Sequence, residues 1–234
     1  IGEAAKFLGV TVQTLRNWEK SGKLYAEKSE GGHRYYLKKN LERFLLDLSQ
    51  FGWAWATSAQ PPEIPSEYYC ERQDRFTSRL EKMGIILLEK TDIGDALASL
   101  LTAVAGEIGD NSFMHNVGNW PDVPGIFFAY DIEKRIIVLA DRGQGIRATL
   151  FRVRPDITSD VQALSIAFTE IVSGRAPEKR GNGLKVVRRI LESYPISLVF
   201  RCGLAKAHCA KQPGPVTIEM SQENIRGVYA VITF

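Results

Sequence analysis

The sequence predicts an α+β fold in two parts: a small N-terminal helical module and a larger C-terminal α/β sandwich with a mixed, mainly antiparallel sheet. Three observations predict this division. Residues 1–48 hold two short helical patterns and a glycine turn, residues 49–66 are rich in tryptophan and proline, and helical stripes then alternate with short apolar runs. With 234 residues and 44% hydrophobic content, the chain can bury one large core or two smaller ones.

Charge and cysteine usage narrow the class of protein. Residues 1–48 contain nine Lys and Arg against six acids, whereas the whole chain has 30 against 27 and a net charge of +3. This local excess suits a module that faces phosphate groups. No apolar run approaches the roughly 18 residues that span a membrane, so we expect no membrane partner and a soluble, cytoplasmic protein. Three scattered cysteines argue against a disulfide framework.

Two short helices begin the chain. An apolar stripe ends at Leu8, and the turn Gly9-Val10 follows. Thr11 is then placed to cap a second helix that runs to about Lys20. Such a pair forms a helix-turn-helix unit, whose second helix enters the major groove of double-stranded DNA. The alternative is an ordinary solvated helix face. The candidate DNA contacts on this helix are Gln13, Thr14, Arg16, Asn17 and Lys20.

A β-hairpin is predicted next, between Leu24-Tyr25 and Tyr35-Tyr36, with glycines in its turn. The pattern Thr-Leu-Arg-Asn-Trp-Glu, followed by Gly-Gly-His-Arg-Tyr at residues 31–35, resembles the MerR-type winged helix-turn-helix. The resemblance implies that Arg34 contacts phosphate, that Tyr35 assists, and that the protein is a homodimer. Excisionase-type DNA-bending proteins share this small fold, so a regulator and a recombination accessory factor both remain open.

Residues 49–66 are predicted to link two domains, because they contain three prolines and no periodicity. Trp53 and Trp55 within them either anchor the linker or belong to a partner site. Residues 67–90 are predicted as a connecting helix. Its apolar stripe suits either a short dimeric coiled coil or packing against the chain's own C-terminal domain. The stripe consists of Phe76, Leu80, Met83 and Leu87.

The C-terminal domain, residues 91–234, opens with a helix predicted from Asp95 to about His115. Glu107 and Asn111 lie one turn apart at the border of its apolar face. A carboxylate and an amide in this position can reach into a cleft. An exposed pair on a solvated helix is the alternative.

A hairpin follows, with strands predicted at Phe127–Tyr130 and Arg135–Ala140. The second strand delivers Asp141 at its end. Gly143 and Gly145 complete the pattern Asp-x-Gly-x-Gly, which by itself is often an ordinary turn.

A third motif combines glycines with preceding cations. Lys179 and Arg180 come directly before Gly181-x-Gly183-Leu184, where a helix is predicted to begin. Free amides at a helix start, aided by the helix dipole, form a cradle for phosphate. Solvated loop charges are the alternative for the two cations.

In this order the three motifs resemble the nucleotide site of the Bergerat, or GHKL, ATPases, and imply a Bergerat-type sandwich that binds ATP or ADP with Mg²⁺. The resemblance implies that Glu107 deprotonates the attacking water and that Asn111 holds the Mg²⁺. Asp141 would accept the adenine amine, while Gly143 and Gly145 let the backbone pass the base. The residues at 179–184 would bind the phosphates.

The combined resemblances predict an ATP-binding, DNA-binding transcriptional regulator, in which the nucleotide acts as a switch with or without slow Mg-dependent hydrolysis. The alternative is an anti-sigma-like ATPase or protein-serine kinase that acts on a client protein. A histidine autokinase is disfavoured, because the predicted connecting helix contains none of the chain's three histidines, His33, His115 and His208.

Overall fold

The structure, a computed structural model, describes residues 1–8, 10–20, 24–29, 31–45, 47–90, 92–170 and 183–234, with the backbone alone described at 42–45. It divides into two compact units, Ile1–Asp47 and Leu48–Phe234. Within the described ranges, no helix is long and apolar enough to cross a membrane.

The described part of the N-terminal unit contains the helices α1 Gly2–Leu8, α2 Val12–Lys20 and α3 Lys38–Leu45, and the strands β1 Glu27–Lys28 and β2 Arg34–Tyr35. Thr11 caps α2 as predicted, because its Oγ1 accepts a hydrogen bond from the backbone amide of Thr14 at 3.1 Å. A small core holds the unit together and comprises Ala4, Ala5, Leu8, Leu15, Leu24 and Leu41.

The predicted glycine hairpin is present but shorter than expected. β1 and β2 pair antiparallel, with Glu27 opposite Tyr35. Gly32 has a φ of 76°, and its amide donates to the carbonyl of Ser29 at 2.8 Å. Leu24, which was predicted to lie in the first strand, is instead a buried core residue. Its side chain is needed to fill the small core between the helices.

The C-terminal unit is built on a five-stranded sheet in the order β3-β4-β5-β7-β6. Every pairing described in this sheet is antiparallel, so the prediction of a mixed sheet is wrong. The strands are β3 Tyr69–Cys70, β4 Ile126–Asp131, β5 Ile136–Asp141, β6 Ser197–Cys209 and β7 Thr217–Thr233. The helices are α4 Leu48–Thr57, α5 Gln73–Glu89, α6 Asp95–Asn116, α7 Ile146–Phe151, α8 Asp160–Thr169 and α9 Gly183–Ser193.

One face of the sheet carries the main core. Phe76 and Met83 of α5 are fully buried in the same cluster as Leu101 of α6, Leu139 of β5 and Val187 of α9. The apolar stripe predicted on the connecting helix therefore packs within its own unit. This placement favours the second of the two roles that the sequence left open for the stripe.

Helix α4 packs on the other face of the sheet, and it overturns the linker prediction for residues 49–66. Trp55 is 2% exposed, with its ring centroid 6.3 Å from that of Phe127. Gly52 lies so close to β5 that a Cβ there would approach Val138 Cγ1 to 2.7 Å. The physical reason is that β4 and β5 carry apolar residues on both faces, so the second face also has to be covered.

Trp53 also holds α4 on the sheet. Its ring meets that of Tyr229 edge to face, with the centroids 5.2 Å apart. The guanidinium of Arg201 lies 4.8 Å from the Trp53 centroid. Both tryptophans therefore anchor this segment, as one of the two sequence-based alternatives proposed.

Candidate functional sites

The predicted DNA contacts on α2 face solvent. Leu15 is fully buried, so the opposite side of this helix is the exposed one. Gln13 Nε2 donates to Asn17 Oδ1 at 3.2 Å, which orders part of this surface. The exposed or partly exposed candidates are Gln13, Thr14, Arg16, Asn17 and Lys20.

The two candidates on the hairpin each contact an acid. Arg34 Nε donates to both carboxylate oxygens of Glu19, at 3.0 and 2.7 Å. Tyr35 Oη donates to Glu27 Oε2 at 2.7 Å, and this hydrogen bond raises the pKa of Tyr35. Both hydrogen bonds to Glu19 come from Nε of Arg34. The two terminal Nη groups of the same guanidinium are further hydrogen-bond donors. Glu19 thus fixes the direction in which Arg34 points.

The C-terminal unit contains a pocket between α6, the end of β5, and helices α7, α8 and α9. Five of the predicted nucleotide-site residues line it together, although they lie far apart in the sequence: Asn111, Asp141, Gly145, Gly183 and Leu184. The remaining lining residues are Ile108, Ser112, His115, Asn116, Ile146, Thr149, Leu150, Ala167, Phe200 and Val228.

Asp141 is the buried acidic group of this pocket. It ends β5, is 1% exposed, and accepts hydrogen bonds from Ser112 Oγ at 2.6 Å and from the Gly143 amide at 2.8 Å. Burial raises the pKa of Asp141, although hydrogen bonds from Ser112, Gly143 and Val228 oppose that rise. The pocket therefore has an oriented carboxylate that can accept a hydrogen bond from a ligand.

The two glycines after Asp141 are needed for different reasons. A Cβ on Gly143 would overlap the side-chain amide of Asn116. Asn116 Oδ1 in turn accepts the backbone amide of Gln144 at 2.8 Å. Gly145 has a φ of 79°, a conformation that side chains other than glycine rarely adopt. The loop is therefore held tightly against α6.

Glu107 lies beside the start of α9 rather than among the residues that line the pocket. A Cβ on Gly183 would come within 2.5 Å of Glu107 Oε2 and 3.1 Å of Asn111 Nδ2. Burial, followed by the charge of Asp110, raises the pKa of Glu107. The predicted catalytic carboxylate and metal-binding amide therefore meet at the N-terminus of one helix.

Three predicted phosphate contacts, Lys179, Arg180 and Gly181, lie outside the described residues. Lys185, in the first turn of α9, was not predicted. Its side chain is largely buried and its Nζ donates to the carbonyl of Glu170 at 2.5 Å. Burial lowers the pKa of Lys185.

Sequence reasoning also missed the polar residues that support the site. Ser112 and Asn116 are four positions apart and therefore share one side of α6, which was a usable signal. Arg142 gave no such signal, although its side chain is only 2% exposed and pairs with Asp122. A charged residue inside a glycine motif is normally expected in solvent.

Comparison with known proteins finds one matching family and two similar proteins. Residues 1–36 match the model of the family described as MerR family regulatory protein. Nodulation protein NolA of Bradyrhizobium sp. (strain NC92) is 30% identical over 105 residues, which cover 44% of this chain and 43% of that protein. NolA of Bradyrhizobium elkanii is 48% identical over 44 residues, or 18% and 20% of the two chains.

The chain thus spans less than half the length of the curated relatives it matches. The family match includes α2 and the hairpin, so the similarity of this segment to MerR regulators is confirmed. The winged-helix and Bergerat folds, and the GHKL resemblance, stay predictions.

Proposed function

We propose that the chain is a DNA-binding transcriptional regulator whose C-terminal unit binds an adenine nucleotide. The single observation that carries the nucleotide part is the pocket in which Asp141, Asn111 and Gly183 meet. The DNA-binding part is supported by the MerR match over residues 1–36 and by the similarity to NolA. The proposal includes homodimerisation, which the MerR resemblance implies.

The part of the pocket around the buried Asp141 suits a purine with an exocyclic amine. Such an amine donates a hydrogen bond, and the Asp141 carboxylate accepts one. Apolar side chains of Ile108, Leu150 and Phe200 line the same pocket and suit the faces of a flat ring. Guanine carries a carbonyl where adenine carries the amine, so its oxygen would face the Asp141 carboxylate. Adenine is therefore the base that this proposal favours.

The start of α9, which also lines the pocket, suits phosphate. Gly183 and Leu184 begin α9, a helix of 11 residues whose first amides lack partners within the helix. Within the described residues no cluster of three or more acidic, His or Cys side chains is arranged for a metal. The amide oxygen of Asn111 still fits Mg²⁺, because this ion retains water and phosphate oxygens as most of its ligands. Mg²⁺ would neutralise phosphate charge there.

Glu107 supports a hydrolytic role in addition to binding. Its raised pKa and its position beside Asn111 suit a base that takes a proton from water. The same geometry favours a second candidate function, transfer of the phosphoryl group to a protein client. Labelled γ-phosphate released as free phosphate would support hydrolysis, whereas label on a co-purified protein would support transfer. Glu107→Ala is expected to abolish either reaction while nucleotide binding persists.

Calorimetric titration of the whole chain with ATP, ADP and GTP in the presence of Mg²⁺ tests the binding proposal. We expect ATP and ADP to bind, GTP to bind much more weakly, and Asp141→Ala to lose about 100-fold in ATP affinity. Ser112→Ala should weaken binding, whereas the matched control Ser221→Ala, which removes another buried serine hydroxyl on β7, should not. Equal affinity of the wild type and Asp141→Ala for ATP would refute this site.

A further inference from the structure

Arg142 caps a helix that is distant in sequence. Helix α4 has no basic residue in its last turn, so its own sequence supplies no cation for its carbonyl end. The Arg142 guanidinium takes that place and donates to backbone carbonyls at and just after the helix end. The acceptors are the carbonyls of Trp55 at 2.6 Å, Ala56 at 3.3 Å, Ser58 at 2.9 Å and Ala59 at 3.4 Å.

Asp122 balances the charge of this buried guanidinium. Arg142 Nε donates to Asp122 Oδ1 at 2.9 Å, and Nη2 donates to Oδ2 at 2.6 Å. The hydrogen bond from Arg142 lowers the pKa of Asp122 despite its partial burial. Arg226 also donates to Asp122 Oδ2, at 2.9 Å, but its side chain is 54% exposed. Arg142 is therefore the structural member of this cluster, and Arg226 lies at its edge.

The position of Arg142 in the chain joins this cap to the pocket. It stands between Asp141, which lines the pocket, and Gly143, whose amide donates to the Asp141 carboxylate. A shift of this loop therefore moves the guanidinium relative to the α4 carbonyls. Helix α4 begins at Leu48, the residue that directly follows the N-terminal unit in the sequence.

We propose that Arg142 is a positioning residue that couples the occupancy of the pocket to the stability of α4. The inference rests on the proposed function, because the ligand that fixes Asp141 is taken to be an adenine nucleotide. A ligand on Asp141 restrains residues 141–145, and Arg142 then caps α4 more persistently. The segment that leads out of the N-terminal unit is thereby stiffened when nucleotide binds.

Hydrogen–deuterium exchange of the whole chain, with and without saturating ATP and Mg²⁺, measures this coupling. Peptides that cover residues 48–60 report on α4, and peptides from 143–150 report on the loop and α7. In the wild type we expect ATP to slow exchange in α4 by about threefold or more. A wild type that binds ATP with no change in α4 would overturn the proposal.

Arg142→Lys is the decisive variant, because it keeps the charge but loses the planar fork that reaches several acceptors. The matched control is Arg226→Lys, which alters the same cluster at its exposed edge. We expect Arg142→Lys to bind ATP without protecting α4, and Arg226→Lys to behave as wild type. Protection of α4 that persists in Arg142→Lys would overturn the proposal. Asp122→Asn, a milder change, replaces Arg142→Lys if that variant does not fold.

The measurement without nucleotide separates this inference from the proposed function. Arg142→Lys, or Asp122→Asn in its place, should speed exchange in both α4 and residues 143–150 even when no ligand is added. If the wild type binds no nucleotide but exchange changes in both segments, the proposed function fails. The structural link, by which Arg142 connects α4 with residues 143–150, is then still supported. Unchanged exchange in either segment would overturn the link itself.

Discussion

The two candidate sites of this protein are built in opposite ways. The surface on α2 and the hairpin presents exposed charges, of which Arg34 is 42% exposed and pairs with Glu19. The pocket in the C-terminal unit instead holds Asp141 at 1% exposure, with its oxygens already bonded to neighbouring groups. Exposed charges act additively and are screened by salt, whereas buried polar groups depend on a complete set of partners. Single substitutions should therefore have unequal effects at the two sites.

The largest effect is expected for Arg142, a buried charge with hydrogen bonds to Asp122 and to several backbone carbonyls. Arg142→Met should lower the free energy of unfolding by about 3–5 kcal/mol, because it removes the buried partner of Asp122 and the donor to the α4 carbonyls. Arg226→Met, at the exposed edge of the same cluster, should cost about 1 kcal/mol or less. Urea denaturation of both variants measures the difference. Similar losses in the two variants would mean that burial does not control this cluster.

Gly183→Ala tests how closely the start of α9 packs in the pocket. The added Cβ would lie 2.5 Å from Glu107 Oε2, so the start of α9 or the Glu107 carboxylate has to move. We expect ATP affinity to fall about tenfold, which corresponds to about 1.4 kcal/mol. Gly214→Ala is the control, because the nearest atom to its Cβ would be 3.7 Å away. Titration calorimetry that finds both variants equal to wild type would exclude close packing of ligand at this helix start.

Asp141→Asn tests whether the buried carboxylate reduces stability. Burial raises the pKa of Asp141 in the folded chain, whereas in the unfolded chain it is about 3.9. The folded state therefore holds its proton to higher pH, and stability falls as pH rises from the unfolded pKa through the folded one. The penalty is present in full once the pH exceeds the folded pKa. Asp141→Asn, which removes the charge, should then raise the free energy of unfolding at the high end of the pH range.

Urea denaturation from pH 4 to pH 8 measures this effect in the absence of nucleotide. The difference between Asp141→Asn and wild type should grow as pH rises and then level off. A difference of the opposite sign at pH 7 would mean that the hydrogen bonds from Ser112 and Gly143 outweigh the cost of burial. The same variant should bind ATP poorly, so that stability and binding change in opposite directions.

The smallest single effects are expected on the predicted DNA-contact surface. Arg16→Ala and Arg34→Ala should each weaken DNA binding several-fold and reduce its salt dependence by about one phosphate contact. Neither should alter ATP affinity. Arg72→Ala, which removes an exposed cation of the C-terminal unit, is the control. Fluorescence anisotropy at several salt concentrations measures these changes, and DNA affinity unchanged in both variants would remove these residues from the interface.

The elements around the pocket were predictable because their signals are local. The stripe that borders Glu107 and Asn111 predicted a helix that the structure has as Asp95–Asn116. The hairpin prediction likewise placed Asp141 at the end of a strand, which is where it lies. Motif order then indicated that these residues belong to one site.

Helix α4 could not be predicted in the same way. Its sequence lacks helical periodicity, because Phe51, Trp53 and Trp55 all meet aromatic rings of the sheet face that it covers. A signal did exist elsewhere, in the apolar residues that β4 and β5 carry on both faces.

Polar contacts between residues far apart in the sequence were also not predicted. The burial of Arg142 depends on Asp122, 20 residues away, and on carbonyls more than 80 residues away. Arg34 similarly meets Glu19 only because the hairpin folds back towards α2. The spacing of these residues in the sequence does not indicate either contact.

In the proposed function, one chain joins a DNA-binding module to a nucleotide pocket that controls it. The most direct test is the affinity of the whole chain for DNA from its own promoter region, at fixed salt and Mg²⁺, without nucleotide, with ADP and with a non-hydrolysable ATP analogue. We predict a change of about tenfold or more, equivalent to about 1.4 kcal/mol of coupling, that Asp141→Ala abolishes. DNA affinity that is tight but identical in all three conditions would refute nucleotide control of DNA binding.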